Sequence, residues 1–295
     1  MKCVIDPNIS KKAACQTAIQ VCERLRAQNA EICMAQELAE LLGKDTNIHF
    51  LPADTLFIDA DFVISIGGDG TILRSAGKIL SHSLQSHKKP TPLVGINTGT
   101  LGFLAAFEAD ELDMLDRLCT GDYAITNRMM LKTMIRSDNA SAKPLHALND
   151  IYASRANGKI CDFAVSVDGR EIGVYRADGI IFSTPTGSSA YALSAGGPVM
   201  EPDLLLIEMN LICPHSLFAR PMLFAPHREI CVTYRGVGDG GLSVFVDGSK
   251  TAVLHNMQSF TVTCSEHMMP FVDCKGHAFY DALNGKLMQP LKTSD

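Results

Sequence analysis

A strand, a glycine-rich turn and a helix are predicted in direct succession by Phe62-Val-Ile-Ser-Ile-Gly67-Gly68-Asp69-Gly70-Thr71-Ile-Leu-Arg74. Residues 62–66 are almost all apolar and β-prone, which is typical of a buried strand. Glycine lets the backbone take positive φ and lets a ligand approach closely, and the N–H groups at a helix start attract anions. The stretch therefore predicts a phosphate-binding turn in an α/β fold.

The sequence on either side of this turn alternates between short strands and helices. Strands are predicted at residues 2–5, 31–34, 62–66 and 92–96, and helices at residues 11–28, 35–42, 71–80 and 110–119. Ser10 is the predicted cap of the first helix, and Gly43 and Gly121 are predicted to end the second and the fourth. Such alternation predicts a mostly parallel sheet covered on both faces.

The sequence changes character after about residue 123. Short β-prone runs occur at residues 131–136, 163–167, 171–175, 180–182, 204–211, 229–234, 242–246 and 260–264, with one helical pattern at residues 187–195. Asp168-Gly169 and Asp247-Gly248 predict hairpin turns. We predict an α/β domain at residues 1–124, an all-β, sandwich-like domain at residues 125–270, and a tail, residues 271–295, that packs back on the first domain.

Composition excludes several classes of protein. The 295 residues are 46% hydrophobic and 20% charged, with a net charge of −6, so neither disorder nor nucleic-acid binding is favoured. No apolar run approaches the roughly 18–20 residues that cross a bilayer, and the first residues lack a signal-peptide pattern. The ten cysteines and nine histidines show no metal-binding spacing. We expect a cytoplasmic protein with reduced thiols and without membrane or nucleic-acid partners.

Asp69 is unusual in such a turn, because a carboxylate repels phosphate. It has a chemical use there if it holds Mg²⁺, or if it accepts the proton of an attacking hydroxyl during phosphoryl transfer. A plain turn is the alternative, since Asp-Gly occurs five times, at residues 69, 168, 178, 239 and 247. The pattern matches neither the Gly-x-Gly-x-x-Gly fingerprint nor the Walker loop.

Two other stretches are rich in small and polar residues. Asn97-Thr-Gly-Thr-Leu-Gly-Phe-Leu104 follows the next predicted strand, and segments after neighbouring parallel strands meet at one edge of a sheet. Ser183-Thr-Pro-Thr-Gly-Ser-Ser-Ala-Tyr-Ala-Leu-Ser-Ala-Gly-Gly-Pro198 places hydroxyls at a helix start, with Tyr191 able to stack on a base. Turn chemistry and a capped short helix are the alternatives.

Together these segments resemble the NAD kinase family, in particular its bacterial ATP-dependent branch. The resemblance is carried by Gly67-Gly68-Asp69-Gly70-Thr71, Asn97-Thr-Gly-Thr-Leu-Gly-Phe-Leu104, Ala147-Leu-Asn-Asp150, Arg176-Ala-Asp-Gly179, Ser183-Thr-Pro-Thr-Gly-Ser-Ser-Ala-Tyr191, Ser194-Ala-Gly-Gly-Pro198 and Ala219-Arg-Pro221. These stretches span about half of the chain. The glycine turn alone is shared with lipid kinases and phosphofructokinases, whereas residues 184–191 are highly specific.

The resemblance implies transfer of the γ-phosphate of ATP, with Mg²⁺, to the 2′-hydroxyl of the adenosine ribose of NAD, giving NADP. Asp69 would accept the hydroxyl proton, in the cleft between the two domains. Gly67, Gly68 and Gly70 would cradle the phosphates, with Arg74 within reach to balance their charge. Similar kinases are homo-oligomers, so a dimer or tetramer is expected, with a neighbouring subunit completing the dinucleotide site.

The resemblance also makes residues 125–270 the dinucleotide-binding domain. The residues it assigns to the dinucleotide are Asn149, Asp150, Arg176, Asp178, Thr186, Ser189, Ala190, Tyr191, Ala192, Leu193 and Ser194. Within this set, Ser189, Ala190 and Tyr191 would hold the adenine. Asp178 and Ser194 would bind the nicotinamide side, and Arg176 would line the site.

The sequence departs from the family pattern at three positions. Asp150 replaces the usual Glu, Ser189 replaces the usual Thr, and Ser249-Lys250 stands where Gln is common. The first two changes keep a carboxylate and a hydroxyl. We expect that the dinucleotide still binds, that the Asp150 carboxylate reaches it from a slightly different position, and that no contact is to be assumed at residue 249.

The sequence leaves two other functions open. A diacylglycerol- or sphingosine-type lipid kinase shares the glycine turn, but the sequence shows no amphipathic basic helix for membrane contact. A non-catalytic NADP-binding sensor would leave an acidic residue in a phosphate-binding turn without a purpose.

Overall fold

The computed structural model of the protein describes residues 1–40, 47–99, 102–136, 143–155, 160–236, 241–276 and 278–286. The chain forms two compact units, one of Met1–Asn127 with Met269–Asp295 and one of Arg128–Met268. Within the described ranges, no helix has both the length and the apolar character required to span a bilayer.

The first unit is an α/β structure built on a parallel sheet. Its elements are β1 (Lys2–Pro7), α1 (Lys12–Ala27), β2 (Glu31–Ala35), β3 (His49–Leu51), β4 (Phe62–Gly67), α2 (Asp69–Ser86), β5 (Leu93–Asn97), β6 (Phe107–Glu108) and α3 (Leu115–Thr120). The strands are parallel in the order β3-β2-β1-β4-β5-β6. Because β4 and β5 are buried along their whole length, the predicted parallel sheet covered on both faces is confirmed.

A buried polar network fixes α2 against the sheet. The Ser75 hydroxyl donates to Asp6 Oδ2 at 2.7 Å and lies 2.8 Å from the Ser65 hydroxyl. Lys78 Nζ lies 2.9 Å from Asp6 Oδ1, so the carboxylate of this largely buried aspartate has a cationic partner. These contacts set the rotation of α2, and therefore the placement of Asp69 at its start.

Two sequence predictions about helix ends differ from the structure. Ser10 is not the cap of α1, because its hydroxyl donates to Asn8 Oδ1 at 2.7 Å and Lys11 takes the N-cap position without a side-chain bond. The described start of the predicted helix at residues 35–42 is a 3₁₀ turn, Gln36–Leu38, and Gly43 lies outside the described residues. Gly121, with φ of 77°, ends α3 as predicted.

The rest of the chain is rich in strands. The elements are β7 (Ala124–Arg136), β8 (Leu145–Ala147), β9 (Asp150–Arg155), β10 (Cys161–Val167), β11 (Arg170–Ala177), β12 (Gly179–Ser183), α4 (Tyr191–Ser194), β13 (Ile207–Ile212), β14 (Met222–Phe224), β15 (Ile230–Tyr234), β16 (Leu242–Val246), β17 (Ser249–Leu254), β18 (Ser259–Asp273) and α5 (Ala278–Lys286). Helix α5 belongs to the first unit, where the Phe279 ring lies 6.2 Å from the Phe103 ring.

The second unit contains two antiparallel sheets that share one core. One sheet has the order β14-β13-β12-β9-β16-β17, and in the other β10 lies between β11 and β15, which pairs with β18. Buried side chains from both sheets form the core, and Phe182 meets Phe260 edge to face with 6.2 Å between ring centroids. The predicted sandwich-like, all-β architecture is confirmed.

Both Asp-Gly hairpins are confirmed as well. Asp168 and Gly169 take φ values of 50° and 81°, and Asp247 and Gly248 take 46° and 76°. Positive φ at both central residues is the requirement of a type I′ turn, which explains the aspartate–glycine pair.

Candidate functional site

The glycine turn lies where a parallel α/β sheet offers a crevice. Strands β1 and β4 are neighbours, but the chain leaves β1 towards β2 and returns to β4 after β3, so the strand order reverses between them. Ligands of open α/β sheets bind at the carboxyl edge beside such a switch point. Asn8, which follows β1, donates from Nδ2 to the Thr71 hydroxyl at 3.2 Å. The structure therefore adds Asn8 to this edge, a residue that the sequence pattern did not indicate.

The three glycines of the turn are there for reasons other than positive φ, which none of them takes. A Cβ at Gly67 would collide with the Thr71 side chain, so this glycine permits close packing of the first turn of α2. A Cβ at Gly68 or Gly70 would meet no atom of the described residues within 4 Å. The described protein does not need glycine at these two positions, whereas a ligand approaching the backbone would.

Asp69, the first residue of α2, is held by the second small-residue stretch. Its Oδ2 accepts the backbone N–H of Phe103 at 3.0 Å, and its Oδ1 accepts that of Leu104 at 3.2 Å. A Cβ at Gly102 would collide with Asp69 Oδ1, so glycine at that position leaves room for the carboxylate. The structure thus brings the two stretches together around one carboxylate, while Arg74 lies exposed one turn further along α2.

Asn97, at the end of β5, organises the same edge of the sheet. Its buried side chain donates from Nδ2 to Glu108 Oε2 at 2.7 Å and accepts the Gly99 N–H at 3.2 Å. Burial raises the pKa of Glu108 above its ordinary value, although the Asn97 hydrogen bond opposes the shift. Thr100 and Leu101 lie outside the described residues.

In the second unit, the Asn149-Asp150 pair is anchored by an aspartate about a hundred residues away in the chain. Asp247 accepts the backbone N–H groups of Leu148, Asn149 and Asp150 at 2.8, 2.8 and 3.1 Å. The Asp247-Gly248 pair in the sequence predicts only a hairpin turn, and the second role of Asp247 depends on the pairing of β16 with β9.

The buried Asp150 and the half-buried Asp247 form a carboxyl pair. Burial, followed by the charge of Asp247, raises the pKa of Asp150 to about 7. Burial also raises the pKa of Asp247 to about 6, and its three backbone hydrogen bonds oppose that shift. Since neighbouring carboxylates disfavour double ionisation, this pair carries less than its full charge near neutral pH.

The segment after β12 is tied to Asn149 by backbone contacts. Thr184 Oγ1 donates to the Leu148 carbonyl at 2.6 Å and accepts the Gly187 N–H at 3.0 Å, which starts the 3₁₀ turn Thr186–Ser189. A Cβ at Gly187 would collide with the Asn149 carbonyl. In the described part of the chain, Asn149 Oδ1 and Thr186 Oγ1 are buried without a hydrogen-bond partner. Buried polar atoms are rarely left so, and a polar ligand would satisfy them.

An aromatic row lies beside this polar cluster. Tyr191, 38% exposed at the start of α4, meets Tyr152 edge to face with ring centroids 5.0 Å apart. Tyr152 in turn stacks on Phe245 at 4.5 Å and 9°. Tyr152 and Phe245 are cross-strand partners on β9 and β16, so only the register reveals that they support Tyr191.

The structure places Arg176 and Asp178 in ion pairs. Arg176, on β11, donates from Nε and Nη2 to the two carboxylate oxygens of Asp162 at 2.7 and 2.8 Å. Asp178 lies 3.1 Å from Arg155. Arg176, on β11, stands on a different sheet from Asp150, on β9. Ser189 ends the 3₁₀ turn, Ala190 precedes α4, and Ala192, Leu193 and Ser194 follow Tyr191 within α4.

Each unit has a feature of a phosphotransferase that binds nucleotides. One unit has a glycine turn with an aspartate, and the other has aromatic rings beside buried polar atoms that lack a partner in the described part of the chain. The models of the ATP-NAD kinase N-terminal and C-terminal domains match residues 4–123 and 148–274. The chain belongs to the NAD kinase family, and it is an enzyme that phosphorylates NAD to NADP.

Full-length relatives and solved structures agree with this assignment. The NAD kinase of Symbiobacterium thermophilum is 34% identical over 283 residues, which cover 95% of this chain and 96% of that protein. The NAD kinase of Bacteroides fragilis is 32% identical over 294 residues, 98% of both chains. The structure of an Archaeoglobus fulgidus NAD kinase in complex with ATP has a TM-score of 0.71 at 25% identity, covering 97% of this chain and 98% of that one. Yeast NADH kinase complexed with NADH shares the fold, with a TM-score of 0.89 at 21% identity over 100% of this chain and 90% of that one.

Proposed function

We propose that Asp69 accepts the proton when the ribose 2′-hydroxyl of NAD attacks the γ-phosphate of ATP. The hydroxyl oxygen forms a bond to the γ-phosphorus, the bond from that phosphorus to the bridging oxygen breaks, and ADP leaves. The proton passes to the carboxylate, so charge and atoms balance. The observation that carries this proposal is the pair of backbone hydrogen bonds from Phe103 and Leu104, which hold Asp69 beside the glycine turn.

The proposed geometry explains why neutral backbone donors hold the carboxylate. Hydrogen bonds to both oxygens restrict its orientation without consuming its charge, and a carboxylate has about four acceptor positions. Positioning of this kind, together with electrostatic stabilisation of the phosphates, accounts for most of the rate enhancement in phosphoryl transfer. A base held in one orientation fits this requirement.

The phosphates of ATP are proposed to lie over the turn Gly67–Gly70. The N–H groups at the start of α2 point outward from the helix and favour an anion, and open space at Gly68 and Gly70 admits it. Arg74 supplies positive charge one turn later. The ATP complex of the Archaeoglobus fulgidus relative supports ATP as the donor.

Magnesium is proposed to arrive with ATP rather than to reside in the protein. Among the described residues, no group of three or more histidine, cysteine, aspartate or glutamate side chains could hold a metal ion. Mg²⁺ commonly keeps several waters and binds substrate phosphates with few carboxylates. When bound, it would neutralise charge that develops on the phosphates.

NAD is proposed to bind to the second unit, along the segment that contains Asn149, Thr186 and Tyr191. Asn149 Oδ1 and Thr186 Oγ1 would gain hydrogen bonds from the dinucleotide, and the Tyr191 ring would contact the adenine. The roles of Arg176, Asp178 and Ser194 remain predictions, as do the homo-oligomer, the cleft location of Asp69 and the cytoplasm as the site of action.

Replacement of the proposed base tests the assignment. We expect Asp69→Asn to lower kcat for NADP formation by at least 10³-fold, because the amide cannot accept the proton but still fills the same space. Asp54→Asn, at an exposed turn of the same unit, is the matched control and should keep wild-type turnover. Circular dichroism checks that both variants fold.

Turnover of Asp69→Asn within tenfold of wild type would disprove the proton-acceptor role.

A further inference from the structure

A buried acid–amide pair lies beneath the α4 segment. Glu208 and Asn210, two residues apart on β13, are 0% and 2% exposed. Asn210 Nδ2 donates to Glu208 Oε1 at 2.6 Å. A buried glutamate is uncommon unless it is paired, so this one requires an explanation.

The pair is in direct contact with the segment that carries Tyr191. Asn210 Nδ2 lies 3.4 Å from the Ala192 carbonyl, which also accepts the Gly197 N–H at 3.0 Å. A Cβ at Gly197 would collide with both Glu208 Oε1 and Asn210 Nδ2. The turn of α4 and the chain after it therefore rest on these two side chains.

The pair has one donor too few when Glu208 is ionised. In the described part of the chain, Glu208 Oε2 and Asn210 Oδ1 are both buried acceptors without a partner. A proton on the carboxyl group converts one acceptor into a donor and removes a buried charge. Burial raises the pKa of Glu208 to about 7, and the Asn210 hydrogen bond only partly opposes the shift.

The side chains that face Glu208 from the two neighbouring strands are neutral. Its cross-strand partners are Ser183 on β12 and Leu223 on β14. Among the described residues, α4, which contacts Asn210 through Ala192, carries the titratable Tyr191, and Asp150 lies two strands away from Glu208 in the same row of the sheet. Since Asp150 also has a raised pKa, an experiment on Glu208 must distinguish the two carboxyl groups.

We infer that Glu208 is a positioning residue for NAD, which in its protonated form supports the Tyr191–Ser194 turn and on ionisation loosens it. The inference rests on the proposed role of that turn in NAD binding. Its consequence is a Michaelis constant for NAD that increases with pH, while kcat is not governed by this group.

The test compares pH profiles of wild type, Glu208→Gln and Glu229→Gln. In wild type we expect KM for NAD to rise by up to about tenfold from pH 6 to pH 8. That is the largest rise possible when NAD binding requires the protonated form of a group with a pKa of about 7. In Glu208→Gln, where the amide is neutral at every pH, this rise should shrink to the part that Asp150 contributes. Glu229→Gln, an exposed glutamate of the same unit, should keep the wild-type profile.

Two results would overturn the inference: the same KM rise in Glu208→Gln as in wild type, or no rise in wild type. NAD binding by calorimetry at pH 6 and pH 8 repeats the comparison without turnover. If Glu208→Gln does not fold, Glu208→Met, of similar length and without a titratable group, replaces it and is judged by the same two results. Absence of NADP formation by the wild-type protein would instead refute the proposed function.

Discussion

Gly102→Ala should disable the enzyme although position 102 contributes no functional side chain. The added methyl group would overlap Asp69 Oδ1 and lie 3.1 Å from Asp69 Cγ. Ordinary van der Waals contact then requires a carboxylate shift of about 1 Å, and a misplacement of that size costs about 10²-fold in rate. The hydrogen bonds from Phe103 and Leu104 would also be strained.

We therefore expect kcat of Gly102→Ala to fall about 10²-fold, with KM for NAD little changed, since the residues proposed to bind NAD belong to the other unit. A coupled assay with an NADP-specific dehydrogenase measures both constants. Gly77→Ala is the matched control: this glycine is exposed within α2, and a Cβ there meets no atom of the described chain within 4 Å. It should keep wild-type kinetics and gain about 0.5–1 kcal/mol of stability. Turnover of Gly102→Ala within twofold of wild type would refute the argument that Asp69 must be held in place.

Three further predictions concern the second unit. Asp247→Asn should raise KM for NAD and lower the free energy of unfolding by about 1–3 kcal/mol, because one amide oxygen cannot replace the carboxylate that binds three N–H groups. Denaturant titration measures this change, and the free energy of unfolding should decrease less in the control Asp168→Asn, in the exposed hairpin. Tyr152→Val should raise KM for NAD about two- to tenfold, in line with the roughly 0.5–1.5 kcal/mol of an aromatic pair, and an equal increase in Tyr152→Phe would contradict that reasoning. Folding raises the pKa of Asp150 to about 7, so the contribution of its protonated form to stability is present at low pH and is lost as the pH rises towards 7. The Tm of wild type should therefore fall relative to that of Asp150→Asn between pH 5 and pH 8. Parallel Tm curves for the two proteins would contradict this prediction.

The sequence was sufficient for the fold class because its signals are local. The apolar run of β4, the glycines after it and the helical pattern of α2 are neighbours in the chain, and they predict one another's conformation. The Asp-Gly hairpins are equally local, since a type I′ turn depends on two adjacent residues. The prediction that Ser10 caps α1 was wrong because two neighbouring residues compete for the N-cap position. The Ser10 hydroxyl bonds to Asn8 instead, and Lys11 takes that position.

The support of the candidate site depended on tertiary structure. Asp247 holds residues 148–150, and the Phe103 and Leu104 N–H groups hold Asp69 from more than thirty positions along the chain. Such contacts arise from strand register and from loops meeting at a sheet edge, and a register shift of one residue would turn every side chain to the opposite face.

The sequence by itself therefore predicted the strands, the turns and the side chains that we propose carry the chemistry, because these predictions follow from backbone preference and residue type over a few neighbouring positions. Only the tertiary structure decided which carboxylates are held, paired or buried. That outcome depends on desolvation and on hydrogen bonds between segments far apart in the chain. Glu208 is the clearest example, because folding removes this glutamate, on a short strand, entirely from water.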